Sequence, residues 1–155
     1  MEKMVRKASD NKYLHRDFHT GLNFGIDYIA KLYGEDAVIE YLVDYARVFH
    51  KPLTQAVKEK GLSALEDYFR KLYETEEAID DVTFESGADE LIIDIKKCPA
   101  VSHITKQGNK MSDMFVETAR TVYKTVVEET EFGYEMLFYD KETGKSKQRF
   151  FRKGE

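Results

Sequence analysis

Cys98 is the single cysteine of the chain, and it stands where a strand-like run, Leu91 to Lys97, meets Pro99. Proline cannot donate to a sheet ladder and biases the residue before it toward extended geometry. The strand is therefore expected to stop at Cys98, at the mouth of the next loop. His103 follows five residues on, in Cys98-Pro99-Ala100-Val101-Ser102-His103. Strand ends and loops held by a rigid scaffold are common places for reactive groups. A thiol there suits a nucleophile, and a nearby imidazole suits its activator, because the thiolate is the attacking form. The competing reading is a small buried hydrophobe, the usual state of a lone cysteine. Alternation puts Leu91, Ile93 and Ile95 toward the core. It puts Cys98 with Ile92, Asp94 and Lys96 on the other side, unless the proline turn re-aims it.

Three further groups could do chemistry. His15 and His19 lie four apart, so on a helix both imidazoles project from one face, the spacing of helical metal pairs. The segment His15-Arg16-Asp17-Phe18-His19 lacks the glutamate that a metalloprotease helix carries directly after its first histidine. Two histidines also fall short of the three protein ligands of a catalytic zinc, unless His50, His103, Cys98 or a carboxylate joins them. No metal and no cofactor is expected, and a metal reading rests on His15 and His19 alone. Glu117 and Arg120 stand three apart on a helical stretch with Lys124 and Glu128. They read either as helix-spaced ion pairs on a solvated face or as an arginine clamp for a substrate carboxylate, with Glu117 orienting it. Lys141, Lys145, Lys147, Arg149, Arg152 and Lys153 make the tail basic. A charged edge strand that resists edge-to-edge pairing is the default reading of that tail.

The elements that must position these groups follow from periodicity. Leu14, Phe18, Leu22, Ile26, Ile29 and Tyr33 recur at spacings of three and four, which predicts a long helix ending at Gly34. Glu35 and Asp36 suit the first turn of a second helix, with Val38, Tyr41, Leu42, Tyr45, Ala46 and Phe49 on one face. Lys51-Pro52 interrupts it, a short helix runs to Gly61, and Ser63-Ala64-Leu65-Glu66 has the form of a capping box. Leu65, Tyr68, Phe69, Leu72 and Tyr73 form the apolar face of the helix it opens. After the acidic stretch Glu74 to Asp81 the period changes to two. Val82 to Ser86 and Leu91 to Lys97 predict a hairpin around Gly87 to Glu90. A helix near 113–130 is expected next, with Ser112 as N-cap and Gly133 as its end. Tyr134 to Tyr139 and Lys147 to Phe151 predict a second hairpin around Asp140 to Gly144. The fold class is α+β: a single domain over 1–155, its helical half about 10–76 packed on an antiparallel sheet of about four strands. The sheet and the long helix occupy about 80–152, the helix lying between two hairpins.

The chain has 155 residues, 42% of them hydrophobic and 34% charged, a composition that buries a core. One cysteine excludes an internal disulfide and fits a reducing, cytoplasmic setting. Lys3, Arg6 and Lys7 precede no apolar stretch, so no signal peptide is expected, and no run approaches a membrane span. A net charge of −5 argues against nucleic acid as the partner. A small-molecule substrate or ligand is the expected partner, and a homo-oligomer stays open.

The C-terminal half resembles a known family. Its order is a strand, Cys98-Pro99-Ala100-Val101, a link through Lys106-Gln107-Gly108, Ser112 to Arg120, and a hairpin containing Gly133-Tyr134-Glu135 and Phe138. Over roughly residues 80 to 152 this is similar to the family named for L-2-amino-thiazoline-4-carboxylic acid hydrolase. More distantly it resembles the vinyl-reductase-like ligand-binding domains, which share the helix-plus-antiparallel-sheet plan. Members of the first family often carry a further cysteine where this chain has Val116, so a two-cysteine mechanism is not expected. The resemblance implies a small hydrolase that opens a cyclic C–N/C–S substrate such as a 2-aminothiazoline carboxylate. Cys98 or water would attack the ring carbon, His103 would move protons, Arg120 would hold the carboxylate, and Glu117 would orient Arg120 or the ring nitrogens. The alternative is a non-enzymatic small-molecule-binding or interaction domain with an apolar pocket.

Overall fold

The helical half forms much as its spacing dictates. In the computed structural model, which describes residues 12–154 with side chains from Arg16 onward, helix α1 spans Lys12–Tyr33 and α2 spans Glu35–Phe49. Gly34 joins them at φ +90, a conformation that L side chains rarely adopt. Helix α3, Lys51–Lys60, takes Pro52 in its first turn, where a missing N–H costs nothing. Helix α4 covers Ser63–Thr75. A short 3-10 turn, Ile79–Asp81, leads into strands β1 (Val82–Ser86) and β2 (Glu90–Ile95). Helices α5 (Pro99–Lys106) and α6 (Glu117–Glu128) follow, then β3 (Phe132–Tyr139) and β4 (Ser146–Arg152). The fold is α+β: among the described residues, six helices lie beside one four-stranded antiparallel sheet of order β1-β2-β4-β3.

Leu91, Ile93 and Ile95 are buried as alternation requires, and Ser146, Gln148 and Phe150 match them on β4. One buried cluster runs from Ile26 of α1 through Leu65 and Phe69 of α4 to Val126 of α6 and Phe150 of β4, so both halves share a core. Ala100, Val101, Ile104, Met111 and Phe115 form a smaller cluster beneath α5, with Cys98 packed against it.

Several sequence expectations are corrected. The buried side of α1 carries Asn23 and Ile26, while Phe18 and Tyr33 of the expected stripe are exposed. The stripe is rotated because polar side chains find partners inside: Asn23 Nδ2 donates to Lys110 O at 2.9 Å, and its Oδ1 accepts from Ser112 N at 2.8 Å. The capping box does not form. Leu62 precedes α4, Ser63 donates to Lys60 O, and Glu66 binds Arg70 and Ser86 instead. Residues 99–106 form a helix because Pro99 sits in its first turn, where proline starts a helix as readily as it stops a strand. Helix α6 starts at Glu117, not near Ser112. Gly133 lies inside β3, where a Cβ would meet the Phe151 ring at 2.7 Å. Strand β4 is interior, and its basic residues are neutralised across the sheet. Arg149 bridges Glu90 and Glu135, Arg152 binds Asp89 and Glu131, and Lys147 faces Asp94.

Candidate functional site

The helices and the sheet leave a cavity of about 200 Å³ between them. Its wall is largely apolar and aromatic, with Tyr45, Tyr68, Phe69, Leu72, Phe115 and Tyr123 among its residues. His50 lies in this aromatic packing, its ring edge-on to Tyr45 and Tyr68 at 5.7 Å. Burial holds its imidazole below the usual histidine range.

The chemistry of the wall belongs to His19, Tyr73, Glu76, Cys98 and Tyr139. Glu76 follows the last turn of α4, where the chain ends the helix in a Schellman arrangement. Ala78 N donates to Tyr73 O and Glu77 N to Glu74 O, with Glu77 at φ 56. That turn sets the Glu76 side chain among apolar neighbours with 4% of it exposed, and it meets His19 Nε2 at 2.7 Å. A carboxylate buried this far requires a partner, and the imidazole from α1 is one. Tyr139 is on β3, and its hydroxyl is buried with no hydrogen-bond partner among the described residues.

Cys98 caps α5 from the end of β2. Its N–H donates to Thr143 O at 3.0 Å, which ties it to the turn of the second hairpin. Gly144, at φ +69, lies beneath it; a Cβ there would collide with Cβ of Cys98 and come within 2.9 Å of Val101. The proline turn therefore re-aims Cys98 from the outer side of β2 into the cavity wall. The residue is half-buried. Desolvation pushes its thiol pKa up, the amides of Val101 and Ala100 in the first turn of α5 pull it down, and the Glu76 charge pushes it up again. Burial dominates, so the thiol is held in its neutral form. Burial likewise raises the phenols of Tyr73 and Tyr139, each with a smaller contribution from Cys98.

The four residues of the sequence-based site are not brought into one place. Cys98 lines the cavity and His103 does not. Five residues at about 100° each carry His103 about 140° round α5 from Cys98, and its Nε2 is buried with no hydrogen-bond partner among the described residues. Glu117 and Arg120 lie on the other side of α6, in a groove shared with Arg47, Thr121, Lys124 and Glu128. There Arg120 binds Glu117, and Thr121 Oγ1 donates to the second carboxylate oxygen at 2.5 Å. Burial raises the Glu117 carboxyl pKa, but Arg120 and Thr121 outweigh it and leave the group below the usual range. This half-buried ion pair braces α6. His19 is on the cavity wall; His15 lies in α1, with its side chain outside the described residues. Among the described residues no group of three or more His, Cys, Asp or Glu is placed to hold a metal ion, and no helix is long and apolar enough to cross a membrane.

Glu76 and Tyr139 were missed by sequence reasoning. A signal for Glu76 exists: it continues the Leu65, Phe69, Tyr73 stripe at helical spacing, which places one acidic residue of the 74–81 stretch on the buried face. Nothing comparable marks Tyr139, whose burial depends on the bulge between Met136 and Phe138. Compared with family models, with curated proteins and with solved structures, the chain matches none.

Proposed function

We propose that the chain is a small-molecule-binding α+β domain whose ligand lodges in the cavity between helices and sheet. The observation that carries this reading is an aromatic-walled cavity of about 200 Å³ with a buried carboxylate–imidazole pair, Glu76 and His19, in its wall. Dry apolar cavities of roughly 150 Å³ hold a benzene ring. Room for a ring-sized molecule, and few polar groups to orient it, is the usual form of a ligand site. The ligand is mostly apolar, with one polar group that meets Glu76 and His19. Calorimetric titration with a panel of small heterocycles, including L-2-aminothiazoline-4-carboxylate, tests this. Ala119→Leu places added bulk on the cavity wall and is expected to abolish binding while circular dichroism stays native. Equal binding by this variant, or no binding by any ring compound in the panel, would overturn the reading.

A second reading is the hydrolase that the family resemblance implies, and one observation favours it: Cys98 shares its cavity with His19 and Glu76. In that reaction water adds to the amidine-like ring carbon, directly or through a covalent Cys98 intermediate. The carbon–sulfur bond breaks, sulfur leaves as a thiol, and a carbamoyl amino acid results. In this reading the His19–Glu76 pair, which lines the same cavity as Cys98, would move protons in place of His103. Release of free thiol from the aminothiazoline carboxylate, lost in Cys98→Ala with binding retained, supports the covalent route. Binding with no thiol release leaves the domain a binder.

A further inference from the structure

Helix α1 presents an apolar face to solvent. Phe18, Phe24, Tyr28 and Leu32 are 54%, 57%, 65% and 51% exposed. At 100° per residue they share one arc with Gly21 and Gly25. Tyr41 of α2, 45% exposed, borders the arc, and a shallow groove runs over the two glycines between Phe18 and Tyr41. A Cβ on either glycine would meet nothing within 4 Å. The single chain therefore has no packing need for glycine in the middle of this helix, where it weakens helical structure.

We propose that this face docks a second copy of the chain, α1 against α1, antiparallel about a two-fold axis near Phe24 and Gly25. Two observations select this occupant. The first is charge. Asp17 and Lys31 both lie on the Phe24 side of the apolar arc, fourteen residues and about 21 Å apart along the helix. Neither is ion-paired with a described residue. The two-fold operation keeps that side and reverses the helix, so Asp17 of each copy meets Lys31 of the other. In the same register Gly21 lies opposite Tyr28 of the second copy, so that ring seats over a glycine, and Gly25 meets Gly25 beside the axis, where the absence of a side chain lets the helices approach. The second is area. At about 200 Å² for a fully exposed large side chain, Phe18, Phe24, Tyr28, Leu32 and Tyr41 bare about 500 Å² per copy. That is the size of the largest apolar patch on a typical monomer, and such a patch is often functional. With its polar rim it approaches the roughly 800 Å² per partner of a standard interface. An acidic rim at Glu35 and Asp36 disfavours an anionic lipid surface as the occupant.

Sedimentation velocity of the intact chain over roughly 1–100 µM tests the assignment. The expected result is a monomer–dimer equilibrium in that range. Phe24→Asp should give monomer throughout. Gly25→Leu should do the same by filling the space where the two helices approach; its side chain has open room in the monomer and favours helix, so unchanged circular dichroism separates loss of docking from loss of fold. Asp17→Lys and Lys31→Asp should each weaken the dimer several-fold, and the double swap should restore it. A monomer at every concentration overturns the proposal, as does a dimer indifferent to Phe24→Asp and Gly25→Leu. A monomeric chain that floats with phosphatidylcholine vesicles through the same residues overturns it in favour of lipid.

Discussion

At the scale of single residues, Cys98 shows how one turn decides the chemistry open to a side chain. Its strand parity points outward, and Pro99 rotates it inward because the residue before a helix N1 proline stays extended, here at φ −88 and ψ 126. Once inside, the thiol is desolvated and its pKa is raised, so it resists the attack that an exposed thiolate would undergo. Alkylation of the native chain at pH 8 is expected to be much slower than that of the chain in denaturant. Equal rates would show that the thiol is not packed as described. The cysteine keeps this place only because Gly144 lets the hairpin turn lie against it. Gly144→Ala meets both a left-handed φ and a collision with Cys98, and should cost about 2–4 kcal/mol of stability in a denaturant titration. The composition and position of Cys98 were legible in the chain. Its direction was not, because a proline after a strand reads equally well as the end of one element and the start of another.

At the scale of elements, the helices were legible where their faces are apolar and misread where polar residues are buried. The spacing of Leu22, Ile26 and Ile29 finds α1, but His19 and Asn23 turn it, since each meets a partner far along the chain. Such partners, Glu76 for His19 and the 110–112 segment for Asn23, leave no local trace in sequence. Asn23 is fully buried and joins α1 to the segment that enters α6. Asn23→Ala would strand the Lys110 carbonyl and the Ser112 N–H, with an expected cost of about 2–3 kcal/mol. Hydrogen exchange should then quicken in α1 and residues 109–116 before it quickens in the sheet. Uniform quickening would argue that α1 is not a separately docked unit. Strand pairing was legible hairpin by hairpin from period two and turn residues. The order β1-β2-β4-β3 was not, because the pairing of β2 with β4 joins segments more than fifty residues apart. The place of β4 between β2 and β3 explains the basic tail, whose charges answer Glu90 and Asp94 on one neighbour and Glu135 on the other.

At the scale of the whole molecule, the aromatic core makes stability sensitive to alkali. Burial raises the phenol pKa of Tyr45 to about 12. It also raises those of Tyr68, Tyr73, Tyr123, Tyr134 and Tyr139, and the thiol of Cys98. Each group keeps its proton in the folded chain at pH values where the unfolded chain, with thiol and phenols near 9 and 10, has released it. The folded state then binds more protons than the unfolded one, so stability falls as pH rises. The loss begins near pH 9 with Cys98 and steepens above pH 10 as the tyrosines join. Each fully displaced group contributes at most about 1.4 kcal/mol per pH unit. On the acid side the sign reverses. His50 has a lowered pKa, so its contribution is present at neutral pH and is lost as pH falls below about 6.5. Glu66 and Glu117, also lowered, add their loss below about pH 4.5. Thermal midpoints measured from pH 3 to 11 should form a plateau between about pH 7 and 9, with the steeper fall on the alkaline side. Phenolate absorbance of the buried tyrosines should appear together with unfolding. A midpoint unchanged between pH 9 and 11, or phenolate that forms fully before the fold is lost, would contradict the packing of the cavity wall, since Tyr45, Tyr68, Tyr73, Tyr123 and Tyr139 all line it.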